Sequence, residues 1–250
     1  MRLIYLSIFC ISILLSAASY GDDKVISLTF PKVGYPPYVI AAQQDKRAGI
    51  LVDVLKEITE ELGYQLKIVN HPEVRGQLMV AKGRVDLFPS APKWVDTPRK
   101  YLWTAPVVFV ADHIILPSEQ KLTVKTLDDI EGWRLGTLTN LQYPSLAPLF
   151  TNKRISRVDG RSLNILLKNL TSHRIDAIVM DQNVFRWSLH NNQNYQPNDF
   201  NITNLAIDPV GYGFMVTKTT ANQMFVLSFN RVLRIMKKDG RLAEIFKNYK

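Results

Sequence analysis

Cysteine is nearly absent: Cys10 is the only one in 250 residues, and it lies inside an apolar leader. Without that leader the chain carries neither a disulfide nor a thiolate nucleophile. Histidine is scarce too. His71, His113, His173 and His190 are far apart, with no pair at metal-ligand spacing. There is no glycine loop to cradle a phosphate and no nucleophile elbow, so no cofactor is expected. Beyond the leader, no apolar run approaches bilayer-spanning length. Basic clusters are also missing. The formal charge is +9, yet Lys153-Arg154 and Lys237-Lys238 are only pairs, and no basic helix interleaves aromatics. A nucleic-acid partner is therefore not expected.

What is present begins with residues 1–21. Arg2 is followed by the apolar stretch Ile4–Leu15 and the small residues Ser16-Ala17-Ala18-Ser19. This is the layout of a secretory signal, cleaved near residues 18–21, and it predicts a periplasmic protein. Removing Arg2 leaves 30 basic against 22 acidic residues, or +8. That balance favours an anionic ligand, an acidic partner or a membrane surface.

The rest of the chain nearly repeats itself. Leu78–Ser90 and Leu166–Asp181 each run from a helical pattern through a turn into Arg-Val-Asp or Arg-Ile-Asp and then a short apolar strand. Such strands fit buried parallel sheet, and ligands of open α/β sheets gather at their carboxyl ends. Ser90 and Asp181 close the two copies, which predicts two similar lobes with a ligand between them. In the first lobe, strands are expected at 25–30, 64–68 and 85–88, with helices from Leu51 and over 77–82. In the second, strands are expected at 133–138 and 175–180, a helix over 162–170, and a surface loop over 191–204. Helices over 225–236 and shortly after Gly240 complete the chain. Two long apolar segments, 107–116 (interrupted by Asp112-His113) and 210–216, read as strands that cross between lobes. A two-strand connection is a natural hinge. The expected organisation is 22–110 with 211–250 as lobe 1 and 111–210 as lobe 2.

Six fragments in order, Tyr35-Pro36-Pro37-Tyr38, Gly49–Leu55, Gly83-Arg-Val-Asp86, Leu127–Gly136, Arg174–Asp181 and Asn230–Tyr249, resemble the family 3 periplasmic solute-binding proteins, the amino-acid-type receptors of ABC importers. The resemblance covers essentially everything after the leader, and His71-Pro72-Glu73-Val74-Arg75 looks like a divergent branch. It implies an α/β, type II periplasmic-binding-protein fold, each lobe a mixed, mostly parallel sheet flanked by helices. It also implies a small polar solute, such as an amino acid or similar carboxylate, passed to a membrane permease by a protein acting as a monomer. By the same resemblance, Asp181 stands at the ammonium-binding position, Tyr35 at the aromatic position of the first loop with Tyr38 nearby, and Ser90 at the end of the third strand. Arg75 and Arg99 are alternative carboxylate partners, and Gln142 is the candidate in the loop after Gly136. Without a ligand, Asp181 would instead pair with Arg157 or Arg161. Asp53, Asp86 and Asp176 read as caps or turn anchors. Lys32 beside the first loop, with the positive balance, points to a neutral or acidic solute.

Two other readings stay open. An enzyme on this fold would need an acid or base poised in the cleft, for which Glu73 and Asp181 are the residues on offer. A soluble sensor would act through a chemoreceptor or kinase.

Overall fold

The computed structural model describes residues 24–31, 34–40, 49–139, 141–190 and 192–249. The leader at 1–21 and Lys32 lie outside the described residues, as does the side chain of Glu73. Strand β1 (Lys24–Phe30) leads through the Tyr35 loop to α1 (Ile50–Glu61). Its buried stripe, Leu51, Val54, Leu55 and Ile58, follows helical spacing. β2 (Tyr64–Asn70), α2 (Glu73–Ala81), β3 (Leu87–Ser90) and the two-residue β4 (Leu102–Trp103) follow. The long β5 (Val108–Pro117) then enters a second unit of β6 (Arg134–Leu138), α3 (Ala147–Thr151), β7 (Ser156–Gly160), α4 (Leu163–Thr171), β8 (Ala177–Asp181), α5 (Gln182–His190) and β9 (Phe200–Ile202). β10 (Ile207–Val216) returns, and α6 (Thr220–Asp239) and α7 (Arg241–Lys247) close the chain.

The strands run in the order β2-β1-β3-β10-β5-β8-β6-β7, with β4 on β10 and β9 on β5. β1 is parallel to β2 and β3; β6 is parallel to β7 and β8. Between these parallel groups stand the two long antiparallel strands. β10 pairs with β5 from Ile207 to Tyr212, then with β3 from Gly213 to Val216. β5 pairs with β10 from Val108 to Asp112 and with β8 from Asp112 to Ile115.

One core packs β1, α1 and α6 through Leu28, Phe30, Leu55, Phe225 and Phe229. In the second unit, Ile114, Leu116, Leu135 and Val179 fill one side of the sheet, and Ile115, Leu166, Ile178 and Phe185 the other. β8 and the second half of β5, from His113 to Pro117, are buried on both faces, which is why Ile114–Leu116 and Ala177–Met180 read as continuous apolar runs.

The repeat is visible in the backbone. Gly83 and His173 occupy equivalent turns with positive φ, 66° and 55°. Three residues on, Asp86 accepts the amide and hydroxyl of Ser27, and Asp176 accepts the amide of Arg134. Each aspartate thus ties a turn to the start of a parallel strand, the anchoring role expected of it. Asp53 takes the hydroxyl of Tyr249. Several elements differ from expectation. α2 begins at Glu73, one turn before Gln77, and β3 begins at Leu87, after the turn that Asp86 anchors. The stretch expected as a loop over 191–204 contains β9, whose Phe200–Ile202 pairs with Pro117–Ile115 of β5. β7, α3 and α5 were not anticipated.

Candidate functional site

The loop after β1 places two tyrosines beside the crossing strands. Its backbone closes on itself: the Tyr35 amide donates to the Val39 carbonyl at 2.7 Å, and the Tyr38 amide to the Tyr35 carbonyl at 2.9 Å. Tyr38 is fully buried, and its hydroxyl donates to Asp181 Oδ1 at 2.8 Å while accepting from Asn183 Nδ2 at 2.9 Å. Tyr35, Tyr38 and Tyr212 pack together with ring centroids 5.5–6.2 Å apart. Trp94, 50% exposed, leans on Tyr212 at 5.1 Å. The result is an aromatic wall against β10.

Asp181 ends β8 and caps α5. Its Oδ1 also accepts the Asn183 and Val184 amides at 2.9 and 3.0 Å, and Oδ2 faces the Ala111 amide at 3.4 Å. With 3% of its surface exposed, the carboxylate is satisfied by helix amides and a tyrosine hydroxyl rather than a cation. Among the described residues it pairs with neither Arg157 nor Arg161; Arg157 bonds Asp159 and lies over the Tyr143 and Phe150 rings.

Directly across the ladder from Asp181 stands Asp112 of β5. Burial raises its carboxyl to about 7, with Asp181 and then Asp208 adding to the rise and the Asp181 amide opposing it. Burial followed by Asp181 and Asp112 pushes the Tyr35 hydroxyl well up. Burial followed by Asp181 does the same to Tyr38, and burial followed by Asp112 to Tyr143. Asp208 itself accepts the Ser145 amide and hydroxyl at 3.1 and 2.5 Å.

Of the residues singled out from sequence, Tyr35, Tyr38 and Asp181 converge. Ser90 is buried at the carboxyl end of β3, opposite Gly213, the neighbour of Tyr212. Arg75 is exposed in the first turn of α2, at the carboxyl end of β2 and so on the same edge of the sheet. Gln142 is exposed just beyond the carboxyl end of β6. Arg99 lies elsewhere. It is exposed in the segment leading to β4, where Leu102 pairs with Val216, and Val216 pairs with Leu87 at the far end of β3 from Ser90. Asp112, Trp94, Tyr212 and Asn183 were missed. Only Asp112 left a clear signal, a charge in the middle of an apolar strand.

Three comparisons bear on this arrangement. A relative from Campylobacter jejuni, described as a probable histidine-binding protein, is 24% identical over 212 residues, covering 83% of this chain and 78% of that protein. The second substrate-binding domain of a putative amino acid ABC transporter from Streptococcus pneumoniae superposes with a TM-score of 0.70 at 16% identity, over 90% of this chain and 99% of that one. A histidine kinase sensor domain with similarity to periplasmic binding proteins gives a TM-score of 0.68 at 20% identity, over 91% and 96%. The fold is thus the type II two-lobed periplasmic binding fold, with the crossing strands β5 and β10 between the lobes. Residues 31–250 match the model of the bacterial extracellular solute-binding proteins, family 3, and the chain belongs to that family.

Proposed function

We propose that this protein is a periplasmic receptor that binds an amino acid between its lobes and delivers it to the membrane permease of an ABC importer. The lobes are taken as 22–110 with 211–250, and 111–210, consistent with β10 changing partner between Tyr212 and Gly213 and with β5 joining β8 at Asp112, where its pairing with β10 ends. The observation that carries the reading is the meeting of Asp112, Asp181 and the tyrosine wall where the crossing strands join the two parallel sheets. Carboxylates accept an ammonium, and aromatic faces receive a side chain. The names of the Campylobacter relative and of the Streptococcus domain agree with an amino-acid solute.

In this reading Tyr35, Tyr212 and Trp94 form the aromatic surface, and Tyr38 supports it while holding Asp181. Arg75 is preferred to Arg99 as the carboxylate partner because it stands on the edge of the sheet that carries Ser90. Gln142 and Ser90 line the opposing lobes. The solute touches both lobes only in the closed form and stabilises that form by its differential affinity. The protein acts as a monomer after export and removal of residues 1–21. The likeness to a kinase sensor domain supports a second reading, in which the closed form is read by a signalling partner instead of a permease. Co-purification with a permease or with a receptor from the native membrane separates the two.

Thermal denaturation with each amino acid at millimolar concentration tests the receptor reading. At least one should raise the midpoint, since a ligand that binds only the folded state stabilises it by RT ln(1 + L/Kd), where L is the free ligand concentration. Arg75→Ala and Asp181→Ala should each abolish the rise, with ligand-free midpoints showing that the variants fold. A flat response to every amino acid overturns the proposal.

A further inference from the structure

We propose that Asp112 is the carboxylate that meets the solute, and that it selects amino acids with a positively charged side chain. This rests on the amino-acid reading above. The position where the resemblance places the ammonium contact, Asp181, is already engaged. Tyr38 and two α5 amides hold Oδ1, the Ala111 amide faces Oδ2, and little of the side chain is exposed. Asp112 is only partly buried and lies one ladder step away. Among the described residues, no Lys, Arg or His forms an ion pair with Asp112, Asp181 or Asp208.

A second observation points to the same place. Tyr35 is partly buried, and its hydroxyl feels burial first and then both Asp181 and Asp112. A carboxylate that accepts only the Asp181 amide among the described residues, a nearby tyrosine hydroxyl and aromatic faces together form an acceptor set for a cation. Charge then decides the class of solute. A neutral amino acid brings an ammonium and a carboxylate, so the acidic excess around Asp112 stays uncompensated. A side chain carrying a further positive charge compensates it, and a buried charge is costly without such a partner.

Among the described residues, the groups facing Asp112 are Asp181 from β8, Asp208 from β10, Tyr35 from the first loop and Tyr143 from beyond β6, and none of these is a cation. Their carboxylates and burial hold the Asp112 carboxyl up to about 7. A cation binds the ionised form, so its affinity should weaken as pH falls through neutrality.

The test is calorimetric titration of the purified protein and of Asp112→Asn with L-arginine, L-lysine, L-glutamine and L-glutamate, at about pH 8 and about pH 6. The wild type should bind arginine or lysine at least about tenfold tighter than glutamine or glutamate at the higher pH, a gap of about 1.4 kcal/mol. Asp112→Asn should erase the preference and its pH dependence. Asp112→Ser serves the same purpose if the Asn variant does not fold. Tighter binding of glutamine or glutamate by the wild type overturns the inference, as does an arginine or lysine affinity unchanged in the variant. Both of those results leave the amino-acid receptor standing. Failure of every amino acid to bind the wild type removes the receptor reading and this inference together.

Discussion

Asp112 is stabilised in its neutral form by the folded protein, and that has a consequence independent of any ligand. Its carboxyl rises from 3.8 in the unfolded chain to about 7 in the folded one. Between those values the folded state holds a proton that the unfolded state releases. The stabilisation is complete below about pH 4 and is lost as pH rises through about 7. Asp112→Asn cannot ionise, so it should equal the wild type near pH 4 and exceed it in stability at pH 8, by on the order of 4 kcal/mol. Urea denaturation across that range measures the difference. A constant gap between the two proteins would show that Asp112 does not titrate with folding. At this scale the site was half legible. Tyr35, Tyr38 and Asp181 sit within recognisable local patterns, so their chemistry could be read from neighbours in sequence. Tyr212 and Trp94 could not, because their contact depends on β10 lying beside β3, a pairing between residues more than a hundred positions apart. Asp181 was legible as a strand-end acid. Its engagement by Tyr38 was not, since that bond spans 143 positions.

Among the elements, the two copies of the helix–turn–strand unit make a matched pair for measurement. Gly83 and His173 hold the same left-handed turn, but only glycine adopts it without a side-chain penalty. Gly83→Ala should therefore destabilise the protein by about 1 kcal/mol, and His173→Gly should stabilise it by some tenths of that. A gain from Gly83→Ala, or a clear loss from His173→Gly, would contradict the equivalence of the turns; thermal midpoints decide it. Long periodic elements such as α1, α4 and α6 were readable because a buried stripe repeats over several turns. α5 was not. It is nine residues long, and its first turn follows an aspartate that reads equally well as a ligand group or as a cap. β9 was hidden by its polar surroundings: three residues among Asn, Gln and Pro form a strand because β5 offers them an edge.

At the scale of the whole molecule, two strands connect the parallel groups. β5 and β10 are the covalent links between the parallel groups; β10 changes its partner at Gly213, and Asp112 of β5 pairs with both β10 and β8. Gly213 lies at the β10 switch, and a Cβ there would stand 2.8 Å from Thr104 Oγ1 and 3.1 Å from the Ala105 carbonyl. The close approach lets the Thr104 amide donate to the Phe214 carbonyl while the Thr104 hydroxyl accepts the Phe214 amide. Two further ties, Tyr38 to Asp181 and the Trp187 ring 5.9 Å from Tyr249, join the lobes on either side of these strands. In the proposed closure, strands so braced would permit rotation about the strand pair and resist sliding of one lobe along the other. Ligand at saturation should then lower the radius of gyration in solution scattering and slow amide exchange in 108–112 and 207–212, with exchange in the α1 core unchanged. A solute that raises the thermal midpoint but alters neither scattering nor hinge exchange would mean that it binds one lobe alone, without closure.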